Sequence, residues 1–82
     1  MNKISKELKE KIVKFQESEI TEYEVYLRLS KSIKDKKNSK ILEKIALEEK
    51  GHYEFLRTYT NLDVKPNKWK VFKAYWISKI FG

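Results

Sequence analysis

Residues 8–33 read LKEKIVKFQESEITEYEVYLRLSKSI. Leu8, Ile12, Phe15, Glu19, Glu22, Tyr26, Leu29 and Ile33 follow one another at steps of 4, 3, 4, 3, 4, 3 and 4. That is a heptad stripe along one side of an α-helix, the pattern of a helix packed in a bundle. The stripe predicts a first helix from about Ile4 to Ile33, with Ser5 as its N-cap. A second stripe, Leu42, Ile45, Glu49, His52, Leu56 and Tyr59, predicts a helix from about Ser39 to Tyr59. Between them Lys34-Asp35-Lys36-Lys37-Asn38 is short and polar, and either Asp35 or Asn38 can cap the second helix. So short a connection makes the two helices an antiparallel hairpin. Pro66 stops the second helix and can open a third at its first turn; that third helix is Asn67 to about Phe81. The fold class read from the chain is all-α: residues 1–62 form a helical hairpin and residues 63–82 a basic aromatic amphipathic C-terminal helix.

Four ionisable residues interrupt the apolar stripes: Glu19 and Glu22 on the first helix, Glu49 and His52 on the second. A carboxylate in a packed apolar stripe costs several kcal/mol unless it is paired or bound to a cation. Their heights agree as well. Glu19 lies about 14 residues, roughly 21 Å, from the end of its helix, and Glu49 and His52 lie about 10–13 residues, roughly 15–20 Å, from the start of theirs. In an antiparallel hairpin these positions come level. Carboxylate oxygens with an imidazole nitrogen suit iron or manganese, and zinc is compatible. A lone Glu-x-x-His more often marks a solvated or paired helix face; Glu19 at the same height is what favours a metal. A hairpin leaves such a site open on one side. A two-fold dimer would close it into a four-helix bundle and double the ligands, giving one Glu from each of two helices and Glu-x-x-His from each of the other two, which is a di-metal carboxylate arrangement.

Composition sets the outer limits. Eighty-two residues make one domain at most, and alone it would bury only about 60–65% of its unfolded surface. There is no cysteine, which excludes disulfides, thiolate zinc sites and rubredoxin-type iron centres. The first residues hold no apolar leader, and no run approaches the roughly 20 apolar residues of a membrane span, so a cytoplasmic location is expected. The net charge of +7 is uneven: residues 1–62 contribute +3 and residues 63–82 contribute +4. The run Lys34, Lys36, Lys37 and Lys40 reads as a solvated turn.

Residues 15–59 resemble the ferritin-like proteins of the rubrerythrin type. The resemblance is carried by Glu19-Ile20-Thr21-Glu22-Tyr23-Glu24-Val25-Tyr26 and by Ile45-Ala46-Leu47-Glu48-Glu49-Lys50-Gly51-His52. Those proteins place a Glu about thirty residues before a Glu-x-x-His, with a Tyr two turns after the first Glu. Rubrerythrins hold both halves of the bundle in one chain and often add a rubredoxin-like domain; this sequence has one half. It is similar to the half-bundle that precedes the membrane domain of vacuolar-iron-transporter-like proteins, which implies that Pro66–Gly82 leads towards a membrane part. The resemblance implies two iron ions per dimer. Glu49 would bridge them, Glu19 would cap one, His52 would ligate through one ring nitrogen, and Tyr26 would stand behind as a hydrogen-bond partner of a carboxylate. Glu22 is expected as a further ligand, a gating carboxylate, or an ion-pair partner of Arg28 or a lysine. Oxidation of Fe(II) by oxygen or peroxide is the implied chemistry. The alternatives are a metal-loading or regulatory module of an iron transporter without catalysis, and a structural helical dimerisation domain.

The tail has its own signature. Trp69, Val71, Phe72, Tyr75, Trp76, Ile77, Ile80 and Phe81 alternate with Lys68, Lys70, Lys73 and Lys79. Such a segment suits a membrane surface, or packing against the homodimer or a higher oligomer. Few basic residues and no reading motif argue against nucleic acid.

Overall fold

The computed structural model describes residues 4–81; Met1–Lys3, Gly82 and the side chain of Phe81, which the aromatic reading of the tail included, lie outside the described residues. Three helices follow in order and no strand occurs among these residues: α1 (Lys6–Ser32), α2 (Lys36–Thr60) and α3 (Lys68–Phe81).

The helix ends are written in local chemistry. Ser5 caps α1, its Oγ accepting from the Leu8 backbone N–H at 3.1 Å. Asp35, not Asn38, caps α2 and accepts from the N–H groups of Lys37 and Asn38 at 2.9 and 3.3 Å. The cap therefore falls earlier than the end of the polar run, and Lys36, Lys37 and Asn38 belong to the first turn of α2. The connection shrinks to 33–35, and the Ser39 hydroxyl donates to the Ser30 carbonyl across it at 2.6 Å. Asn61 ends α2 in the left-handed region (φ 56°), which Asn tolerates better than most residues. Pro66 is not in the first turn of α3. Asn67 takes the cap, its Oδ1 accepting from the Lys70 N–H at 3.2 Å, so Pro66 stands just outside the helix.

α1 is the middle element: it touches α2 on one side and α3 on another, and α2 and α3 do not meet. The α2-facing side carries Gln16, Ile20, Tyr23 and Ser30, opposite Ala46, Lys50, Tyr53 and Thr60. Small side chains here, above all the fully buried Ala46, let the helices approach closely. The α3-facing side carries Thr21 and Glu24, and buries Val71. The linker 61–67 is held along α1 and α2 by side chains from both. Gln16 Nε2 donates to the Leu62 carbonyl (3.0 Å), the Val64 N–H to Tyr53 Oη (2.8 Å) and the Asn67 N–H to Thr21 Oγ1 (2.9 Å). These bonds satisfy backbone groups that an irregular segment would otherwise leave unpaired. They also fix α3 so that it runs parallel to α1.

The heptad stripes do not face each other. At about 100° per residue, the α1 stripe of Leu8, Phe15, Glu19, Glu22, Tyr26 and Ile33 lies roughly a quarter turn from the side that meets α2, and the α2 stripe is displaced likewise. Leu8, Phe15, Ile33 and Tyr59 are accordingly exposed, Phe15 by 61%. The two stripes converge on one open face of the hairpin, on a different side of α1 from α3. Ile20, Ala46, Tyr53 and Val71 are the only buried apolar residues among those described, so this face is where a second layer is missing.

Candidate metal centre

The middle of the open face brings together three of the predicted ligands. His52 Nδ1 lies 3.0 Å from Glu19 Oε2 and 3.1 Å from Glu49 Oε1. One donor atom from each residue falls within 4.8 Å of the others, so Glu19, Glu49 and His52 could hold a metal ion. α1 supplies Glu19; the 3-residue spacing along α2 puts Glu49 and His52 one above the other. The carboxylates are mostly covered, with side-chain exposures of 21% for Glu19 and 16% for Glu49, while the imidazole is 64% exposed.

The donor set fits a cation of transition-metal size. Two donors about 2.1 Å from an ion and at right angles to each other stand about 3.0 Å apart, close to both distances from Nδ1. A proton on Nδ1 can stand in for such a cation. One N–H then faces two acceptors, and the hydrogen bond to Glu19, followed by the charges of Glu19 and Glu49, raises the His52 pKa above its ordinary value.

Glu22 stands beside this group and not within it. It is held above the usual carboxylate range, first by partial withdrawal from water, then by a hydrogen bond and charge repulsion from Glu49, with His52 pulling the other way. No ion pair with Arg28 or a lysine forms at Glu22 among the described residues; Lys68 instead meets Glu24, at 3.2 Å. Tyr26 is half-buried on the same stripe, and its hydroxyl makes no hydrogen bond to Glu19, Glu49 or His52 among the described residues. No protein-family model, curated protein or solved structure matches this chain.

Two features near the centre were not read from the sequence. Lys50, inside Glu-x-x-His, turns back over the Tyr23 ring at 5.1 Å and so packs at the α1–α2 contact. Gln16, fully buried, accepts from Thr60 Oγ1 at 2.6 Å and anchors the linker one turn from Glu19. The signal was available as the heptads Gln16-Tyr23-Ser30 and Ala46-Tyr53-Thr60, each one residue after the chosen stripe. Their polar and small members hid them from a search for apolar residues. A groove of about 670 Å³ at the far end of the molecule, lined by Leu29, Ile33, Ile77 and Lys79 among others, contains none of the candidate ligands.

Proposed function

We propose that the chain is a ferritin-like half-bundle in which two copies close their open faces on one another and hold two metal ions, iron or manganese, between them. The observation that carries this reading is the convergence of Glu19, Glu49 and His52 Nδ1 on an apolar face that nothing among the described residues covers. Glu19, Glu49 and His52 of each copy would be the ligands. Two adjacent iron ions would supply two electrons together, enough to reduce hydrogen peroxide and two protons to two molecules of water as both Fe(II) become Fe(III). The chain's own part is to place donors and protons. Glu19 and Glu49 present oxygen donors from facing helices, and their burial strengthens their pull on a cation. His52 gives up its Nδ1 proton when a metal takes its place. Glu22, beside Glu49 and raised above the usual carboxylate range, holds its proton more tightly than a free carboxyl does.

The exposure of the His52 imidazole favours a second reading, a site that loads and releases metal without turnover. Metal analysis after anaerobic Fe(II) loading tests the site. One iron per chain is expected, with loss in Glu19→Ala and Glu49→Ala; unchanged iron in both variants would reject the ligand set. Admitting air or peroxide then separates the two readings. Growth of Fe(III) absorbance faster than in protein-free buffer supports oxidation, and iron that stays Fe(II) supports loading alone.

A further inference from the structure

The outer face of α3 plays no part in the metal centre, and it carries a different chemistry. One side of the helix packs on α1 through Val71, with Ala74, Tyr75 and Ser78 half-covered. The opposite side presents Trp69, Phe72, Trp76 and Ile80, exposed by 64, 51, 50 and 71%. The rings form a continuous strip: Trp69 stacks on Phe72 at 5.7 Å between centroids and Phe72 meets Trp76 edge-on at 6.0 Å. Lysines border it. Lys73 Nζ lies 5.8 Å over the Trp69 ring on one flank, which Lys70 shares one turn earlier, and Lys79 Nζ lies 5.4 Å over Tyr75 on the other. α3 holds four lysines and no acidic residue. No helix of the described residues is long and apolar enough to cross a membrane.

We infer that this strip is a docking surface for an anionic phospholipid bilayer, with α3 lying flat at the headgroup boundary. Charge decides between occupants. A second copy of the strip would bring lysines against lysines, which costs energy with nothing to offset it. A layer of anionic headgroups offers the opposite charge to the lysines and an apolar interior to the rings. Indole and phenyl groups backed by lysine are also the side chains favoured at a membrane interface. The linker bonds of Gln16, Tyr53 and Thr21 hold α3 rigidly to the hairpin, so docking also orients the molecule. The Glu19 end of the stripe lies on a neighbouring side of α1 from α3, although Glu22 shares a pocket with Lys70, and Leu29 and Ile33 share a groove with Ile77 and Lys79. This inference is independent of the metal reading.

The test uses the whole chain, whose only two tryptophans, Trp69 and Trp76, both lie in the strip. Tryptophan emission is followed as vesicles are added, either pure phosphatidylcholine or phosphatidylcholine mixed with phosphatidylglycerol, with and without brominated acyl chains. The expected result is a blue shift and bromine quenching on the anionic vesicles only, reversed by high salt. Phe72→Ser with Ile80→Ser should abolish both, with circular dichroism confirming that α3 persists. Lys70→Gln and Lys73→Gln leave the rings in place and should each weaken binding on the order of five-fold. Glu19→Ala should change nothing. No shift on anionic vesicles at low salt, equal binding to phosphatidylcholine, or binding unaffected by the lysine variants would each overturn the inference. A blue shift that grows with protein concentration in the absence of lipid would overturn it in favour of self-association.

Discussion

At the scale of single residues, the candidate site is governed by protons that a bound metal would have to displace. His52 is raised above its ordinary value of 6.5 by Glu19 and Glu49, and Glu22 above 4.5 by partial burial and Glu49. Both groups bind protons more tightly folded than unfolded. Their stabilising contributions are therefore complete below pH 6.5 and pH 4.5 respectively and are lost as pH rises through the raised values. In chelator, the melting temperature of the unaltered chain minus that of His52→Gln should shrink as pH rises above 6.5; a difference that grows would contradict the His52–Glu19 contact. Added divalent metal should act the other way, raising the melting temperature more at pH 8 than at about pH 5, because metal and proton compete for the same atoms. That these residues meet was legible in the chain, since axial height follows from the helical rise alone. That Glu22 is raised beside Glu49 was not, because it depends on how the side chains are turned.

Elements form here for local reasons, and two substitutions check that. Asp35→Ala removes the acceptor for two backbone N–H groups at the start of α2 and should cost about 1 kcal/mol in urea denaturation. Gly51 sits in mid-helix, and an added Cβ would meet nothing within 4 Å. Gly51→Ala should therefore stabilise the chain by about 0.5–1 kcal/mol, measured in the same way; destabilisation would mean that a partner uses the gap. Existence and order of the three helices were readable from periodicity and caps. The place of Pro66 and the path of 61–67 were not, because they follow from hydrogen bonds such as Thr21 to Asn67, which join residues 46 positions apart.

The whole molecule measures 46 × 23 × 14 Å, thin for its length, and its most apolar stripes are on the outside. A proposed dimer across the open face would bring together Glu19 and Glu49 from both copies, and so many carboxylates repel unless cations sit among them. Sedimentation equilibrium should show a dimer with Fe(II) or Mn(II) that weakens at least about ten-fold in chelator. Phe15→Ala, at a position 61% exposed, should leave the denaturation of the metal-free single chain within about 0.5 kcal/mol of the unaltered one, yet weaken association by about 2 kcal/mol or more. Equal dimerisation with and without metal, or by Phe15→Ala, would reject the arrangement.

The sequence by itself determined the helical class, the cap at Ser5, a cap for α2 at either Asp35 or Asn38, and the common height of Glu19, Glu49 and His52. Each depends only on local geometry: periodicity, a side chain reaching its own backbone, and a fixed rise per residue. Only the tertiary structure decided which side of each helix meets its neighbour. The contact went to Gln16, Tyr23, Ala46 and Tyr53, where small groups allow close approach and polar atoms find partners, and the apolar stripe of residues 8–33 was left outside with its glutamates. Rotation about a helix axis is set by what the helix packs against, and no spacing along one chain contains it.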